Sequence, residues 1–312
     1  MQRYWGGIVY GAEKYKNSAE DYIFVSGRTV YISDLWVSDH EVTQEEYERF
    51  CFYSEENAPN EAYGKNPALP AYNVSWFDAV MYCNFLSIEE NLTPVYSING
   101  KTHPCCWPES MENAEGLYRA PDLPSDEWGD IVFNTIATGY RLPTEAEWEY
   151  LARGGSNGLP SMQAEFPGSD DASKVSWYEE NSDSRPHISA QKKENSLYLY
   201  DMGGNVNEWC WDWYARIIPT SGSYGPDAGS KRVLRGGSWN STKELCQVSA
   251  RQSASPVTRS TETGFRVVRT LFELRSDKST SDTKGSFSGS DGGSEPGGSC
   301  CSGSDSGDGA DE

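Results

Sequence analysis

The run Tyr140-Arg141-Leu142-Pro143-Thr144-Glu145-Ala146-Glu147-Trp148-Glu149-Tyr150 constrains the fold more tightly than any other stretch of this chain. Thr144 followed three residues later by Glu147 is a capping box, in which each side chain satisfies an open backbone N–H at the start of a helix. Pro143 disfavours helix at Leu142, so the chain arrives extended and turns helical at Thr144. Trp148, Leu151 and Ala152 then fall at helical spacing, and Gly154-Gly155 supplies the left-handed stop.

The same device recurs twice. Thr43-Gln44-Glu45-Glu46 predicts a helix carrying Tyr47 and Phe50, and Ser75-Trp76-Phe77-Asp78 predicts one with Trp76, Ala79, Val80 and Cys83 on a single apolar face. Strand formers concentrate at Thr29–Ile32, Lys231–Leu234 and Gly264–Val268. Between them, residues 156–195 and 216–230 are dense in Gly, Pro, Ser, Asn and Asp and read as long loops. Trp209, Trp211 and Trp213 alternate as a core strand would. Few strands, few helices and no βαβ alternation define an α+β domain. Only 37% of the 312 residues are hydrophobic, yet there are 11 Trp, 19 Tyr and 10 Phe. Such a composition suits a loop-rich fold whose irregular segments are pinned by large amphipathic rings.

Two regions emerge: a folded domain over residues 1–275 and a tail over residues 276–312. The tail is almost all Ser, Gly, Asp, Thr and Lys, with eight acids against two lysines and Phe287 as its only large apolar residue. Burial cannot offset the ordering entropy of such a segment, so it is expected to be disordered. The formal net charge of −21 opposes nucleic acid and anionic membranes as partners. No stretch reaches the roughly 18 apolar residues of a membrane span. The first residues carry no legible signal peptide, which makes cytoplasmic residence the default and leaves a surface or periplasmic location open if a leader has been removed.

The eight cysteines (51, 83, 105, 106, 210, 246, 300, 301) match neither a zinc pattern nor a compact disulfide framework. Cys51 and Cys83 read as small core residues. The three histidines, His40, His103 and His187, are not at metal-ligand spacing. Glu145, Glu147 and Glu149 do not share a helical face, which argues against a glycosidase dyad. Arg141, Arg235, Arg251 and Arg266 read as braces for carboxylates and loop carbonyls.

The ordered landmarks are Glu41–Tyr47, Pro70–Trp76, Tyr140–Gly155, Tyr200–Trp209 with Asp212–Tyr214, Val233–Trp239, Ser249–Arg251 and Thr263–Arg269. Over about residues 20–270 this series closely resembles the formylglycine-generating enzyme, or sulfatase-modifying factor, family. The resemblance implies an irregular, loop-rich C-type lectin fold with a small antiparallel sheet and a few helices. Catalytic members convert a sulfatase cysteine to formylglycine with two copper-holding cysteines, the first two residues after the aromatic of Gly-Gly-Ser-aromatic. That position is Ser241 here, a poor ligand for a soft metal. Cys246 stands five residues before Arg251, closer than the family's second cysteine, and one thiol cannot supply the two that copper(I) needs. The rival expectation is an oxidase in which Cys246 works with a thiol brought near in space. The sulfoxide-synthase branch carries an extra helical domain and an iron-binding histidine cluster, and this sequence shows neither.

The resemblance that remains is to the family's binding members, such as variable proteins diversified by retroelements. It implies a ligand surface between Trp239 and Glu262, built from Trp239, Asn240, Ser241, Thr242, Cys246, Gln247, Ser249, Gln252, Ser253, Ala254, Ser255, Val257 and Thr258, with Ser260 and Thr261 beside them. A protein or other macromolecule is the expected partner, and a sulfatase held without modification is the third possibility. Small polar residues suit such a surface, and they suit an ordinary solvated loop equally. Asp201, Asn205 and Glu208, with carbonyls near Gly203 and Gly204, are candidate calcium ligands, because hard oxygens on a tight bend suit that ion. The resemblance adds that catalytic members bind calcium near this segment. A loop closed by Asx turns without metal is the alternative.

Overall fold

All three capping boxes form. In the computed structural model, which describes residues 1–10, 23–158, 164–217 and 224–272, helices α1 (Gln44–Tyr47), α2 (Trp76–Glu89) and α3 (Glu145–Ala152) start at Thr43, Ser75 and Thr144, each with both reciprocal hydrogen bonds. Helix α1 stops at Tyr47, so Phe50 lies beyond it rather than on it. Helix α3 closes at Gly154 and Gly155, both at positive φ (88° and 63°). Helix α2 departs from the expected single apolar face, because it is buried all round. Its polar residues earn that position by bonding inward. Asn84 Nδ2 donates to the Tyr96 and Thr102 carbonyls, and Asp78 Oδ1 accepts from the Ala120 N–H.

The described residues fall in one compact unit, Met1–Phe272. The boundary expected at residue 275, the acidic tail and Cys300-Cys301 lie outside them.

Two four-stranded sheets organise the unit. One runs in the spatial order Gln2–Tyr4, Leu35–Val37, Val268–Thr270, Tyr140–Arg141, antiparallel throughout. The other runs Gln252–Ala254, Arg232–Arg235, Asn207–Trp213, Thr263–Gly264, antiparallel except for a short parallel pairing of Asn207–Glu208 with Thr263–Gly264. The segment expected as one strand over 264–268 is therefore split between sheets. Its middle crosses from one to the other, with Val42 N bonded to Phe265 O and Ser38 N to Val267 O. The expected strands at residues 29–32 and 231–234 appear as Thr29–Ile32 and Arg232–Arg235.

Indole rings hold the loops in place. Trp76 donates to the Cys210 carbonyl, Trp209 to that of Val74, Trp107 to that of Lys101 and Trp239 to that of Thr261, all at 2.8–3.0 Å. Each ring buries a large apolar body while its N–H satisfies a main-chain carbonyl of another segment. The main core gathers around α2, with Tyr47, Trp76, Tyr82, Tyr96, Trp209 and Phe265 among its members. No helix among the described residues is long and apolar enough to cross a membrane.

Candidate functional site

Charged side chains wire the landmarks together. Arg141 grips Glu147 with two bonds of 2.7 and 2.8 Å. Arg251 holds Glu145 at 2.6 and 2.7 Å, and Arg235 reaches both Glu145 (3.1 Å) and Glu149 (2.7 Å). Arg266 pairs with Glu208 through two 2.6 Å bonds, and the Glu208 carboxylate also accepts the Trp148 indole N–H at 2.7 Å. The three glutamates of α3 thus point to three different arginines or arginine pairs, as braces do. These bidentate pairs replace the backbone ladders that a loop-rich chain lacks.

The segment after Arg235 turns on two glycines at positive φ, Gly236 (91°) and Gly237 (73°). A Cβ on Gly237 would meet Cys246 Sγ and the Leu245 carbonyl oxygen, both at 2.9 Å, so the turn is also sterically closed to larger residues. Ser241 Oγ then accepts from the Ser238 N–H (2.9 Å) and lies 3.0 Å from Ser238 Oγ, which donates to Glu262 at 2.8 Å. Asn240 Nδ2 donates to the other oxygen of Glu262 at 3.1 Å, and Gln252 Nε2 donates to Asn207 Oδ1 at 2.7 Å. The serine at the first copper-cysteine position is therefore a buried loop closure.

The expected ligand surface needs correction at five positions. Trp239, Ser241, Cys246, Gln247 and Ser249 are buried and cannot meet a macromolecule. Apolar packing and inward hydrogen bonds explain this. Cys246 sits among Phe166, Ala172, Val175 and Tyr178, and Gln247 bonds Glu165. Asn240 and Thr242 are exposed, while Gln252, Ser253, Ala254, Ser255, Val257 and Thr258 are half-buried. Gln252–Ala254 form the outer strand of their sheet among the described residues. Tyr63, whose ring lies 5.7 Å from that of Trp239, joins this region from a distant loop. Nothing in the sequence near Tyr63 announces it.

Burial pushes the Cys246 thiol up to about 12, so it is a protonated core group at neutral pH. Among the described residues its apolar cluster holds no second thiol. Cys105 and Cys106 lie elsewhere, half-buried on a short 3-10 turn, with their sulfurs 3.6 Å apart. Among the described residues no group of three or more His, Cys, Asp or Glu is arranged to hold a metal ion.

The candidate calcium ligands come together but face other partners. Glu208 is bound to Arg266, Asn205 Oδ1 accepts from the His187 N–H, and Asn205 Nδ2 donates to Glu41 at 2.6 Å. Asp201 Oδ2 accepts from the Ala190 N–H, leaving only its Oδ1 without a partner among the side-chain oxygens of the set. Gly203 is packed against Ser176 Oγ and the Cys246 carbonyl, not around a hollow. The guanidinium of Arg266 is already the cation of this cluster. The set does not fit the six to eight free oxygens that calcium takes. Burial pushes the Glu41 carboxyl well above its ordinary value, with Asp201 and Glu208 adding to the effect, and Asp201 rises to about 6.

With this geometry in view, residues 6–271 match the family model described as the sulfatase-modifying factor enzyme 1-like domain. The chain belongs to that family. The solved structure of Treponema denticola variable protein 1 superposes with a TM-score of 0.66 at 32% identity, over 85% of this chain and 95% of that one. A chaperone protein, LppX of Paenibacillus barcinonensis, is 30% identical over 82% of this chain and 86% of its own length. The formylglycine-generating enzyme of Streptomyces coelicolor is 35% identical over 162 residues, which span only 49% of that enzyme. The fold is thus the irregular C-type lectin fold of the formylglycine-generating type.

Proposed function

We propose that this protein is a non-catalytic ligand binder that presents the accessible part of residues 240–258 to a protein or other macromolecule. One observation carries the reading: the position for the first copper-holding cysteine is Ser241, locked into a turn with Ser238, while the Cys246 thiol is sealed in an apolar pocket. Copper(I) selects paired soft thiolates, and this arrangement offers a hydroxyl and a buried thiol. Asn240, Thr242, Gln252, Ser253, Ser255 and Thr258 would make the contacts, since they reach solvent while the buried anchors fix the loop.

Likeness to Treponema denticola variable protein 1 supports a further reading, that these accessible positions accept substitution. Randomising Asn240, Thr242, Ser253, Ser255 and Thr258 together should leave thermal unfolding within a few degrees of the parent. Copper(I) titration, together with mass spectrometry of a cysteine-containing sulfatase peptide, tests the central reading. The expectation is no stoichiometric copper and an unchanged peptide. One bound copper per chain with conversion of the cysteine would overturn it.

A second reading, a holder of client proteins, is favoured by the likeness to a chaperone protein over most of both chains. It predicts suppression of sulfatase aggregation at equimolar ratio, and loss of that effect when residues 240–255 are replaced by a Gly-Ser loop. A chaperone activity untouched by the replacement would place the client elsewhere.

A further inference from the structure

Two thiols have no part in the site described above. Cys105 and Cys106 are half-buried on the 3-10 turn Pro104–Cys106, with their sulfurs 3.6 Å apart. The other cysteines of the described residues, Cys51, Cys83, Cys210 and Cys246, are buried, and burial pushes each of those thiols up. A reagent in solution therefore meets the adjacent pair before any of these four. The turn that carries it is tied on both sides. The Cys105 N–H donates to His103 Nδ1 at 3.3 Å, the Cys106 N–H to the His103 carbonyl at 3.0 Å, and the Trp107 N–H to the Pro104 carbonyl at 3.0 Å. The Trp107 indole donates to the Lys101 carbonyl and Ser110 Oγ to that of Pro104, both at 2.8 Å. The His103 ring meets Phe85 of α2 edge-on, 5.7 Å between ring centres. The backbone that presents the two sulfurs is thus fixed beforehand, which lowers the ordering cost of holding a ligand.

Magnitudes decide which two-thiol chemistry the pair suits. A disulfide needs its sulfurs at about 2.05 Å and its Cα atoms about 4.4–6.8 Å apart. Neighbouring Cα atoms across a trans peptide are only about 3.8 Å apart, so a bond between these two sulfurs would force the turn to change. Two thiolates on one soft centre need no such closure. With bonds of about 2.3 Å, an angle of about 100–109° sets the sulfurs about 3.5–3.8 Å apart, whereas a linear ion requires about 4.6 Å. The observed 3.6 Å matches the bent geometry and is too short for a linear copper(I) or mercury(II). Zinc also binds at a bent angle, but it takes three or four protein ligands. Among the described residues no group of three or more His, Cys, Asp or Glu is so arranged. A pyramidal soft centre that already carries one organic group needs two thiols and no third ligand.

We propose that Cys105 and Cys106 form a binding site for monosubstituted trivalent arsenic, held as a cyclic dithiolate. An arsine oxide, R–As=O, gains two As–S bonds and loses its bond to oxygen, and the two thiol protons leave with that oxygen as water. Arsenic stays trivalent throughout, so neither oxidant nor reductant takes part. The site does not depend on the reading of residues 240–258, because it shares no residue with that surface.

Titration of the full chain with phenylarsine oxide, followed by native mass spectrometry, tests the site. Every sample carries Cys300→Ser and Cys301→Ser, so that the second adjacent pair of the sequence gives no signal. One phenylarsine per chain is expected, retained in excess glutathione and removed by dithiothreitol. Proteolysis of the adduct should place the added mass on the peptide that holds both Cys105 and Cys106. Cys105→Ser and Cys106→Ser should each weaken binding at least tenfold. Arsenite, which seeks three thiols, should bind at least tenfold more weakly than the phenyl compound. Absence of a one-to-one adduct overturns the proposal, and so does added mass on any other peptide. A serine variant that binds as the parent does, removal by glutathione, or equal binding of arsenite overturns it as well.

Discussion

Replacing Arg266 with methionine tests the electrostatic frame at its most buried point. Arg266 and Glu208 are both fully buried, and their two 2.6 Å bonds neutralise a patch that also holds Glu41 and Asp201. Arg266 further donates to the Tyr200 carbonyl at 3.0 Å and the Ser38 carbonyl at 3.3 Å. Arg266→Met leaves three buried carboxyl groups without their cation. Breaking a buried pair from one side costs about 3–5 kcal/mol, a large share of the roughly 5–15 kcal/mol that holds a domain together. Arg266→Met/Glu208→Gln removes both charges while the Gln oxygen still accepts from Trp148. A buried pair replaced on both sides is often close to neutral, so the double variant should regain at least half of the loss. Urea unfolding followed by tryptophan fluorescence reads both variants. The reasoning is wrong if Arg266→Met loses less than about 1 kcal/mol, or if the double variant is no more stable than the single.

Three further outcomes follow from the same geometry. Thr144→Ala removes the acceptor for the Glu147 N–H and should cost about 1 kcal/mol in urea unfolding, with a native circular dichroism spectrum. Gly237→Ala places a methyl 2.9 Å from Cys246 Sγ at a φ of 73°, and should cost about 1–3 kcal/mol with faster labelling of Cys246 by thiol reagents. Burial pushes Asp212 from 3.8 to about 6, so the folded chain keeps a proton that the unfolded chain has shed. The contribution of this group is present below pH 4 and is lost as pH rises to about 6. Asp212→Asn should therefore compare better with the parent at pH 7 than at pH 4, by about 2–3 kcal/mol in paired denaturation curves.

The helices were legible because capping is local: three or four residues at Thr43, Ser75 and Thr144 decide each start. The bracing role of Arg141, Arg235, Arg251 and Arg266 was also legible, since a chain poor in ladders must satisfy its backbone with side chains. Burial around α2 was not, because Asp78, Asn84 and Ser87 look solvent-facing until Tyr96, Thr102 and Ala120 arrive from other segments. The split at Phe265–Val267 was hidden for the same reason: its Arg266 pairs with Glu208, 58 residues away in the sequence. In the proposed surface, small polar residues misled the reading at Ser241, Gln247 and Ser249. Serine and glutamine look alike whether they face water or close a loop. At the candidate calcium ligands the competing partner, Arg266, is a landmark whose direction no spacing rule gives.

The most direct test of ligand binding by residues 240–258 is site-specific photo-crosslinking in the native host. A photoreactive residue is placed at Asn240, Thr242 or Ser253, and in parallel at Tyr31 and Leu123 as exposed controls. The account predicts one recurrent macromolecular partner from the first three positions and none from the controls, competed away by excess unlabelled protein. Crosslinks of equal yield from the control positions, or none from positions 240, 242 and 253, would contradict it.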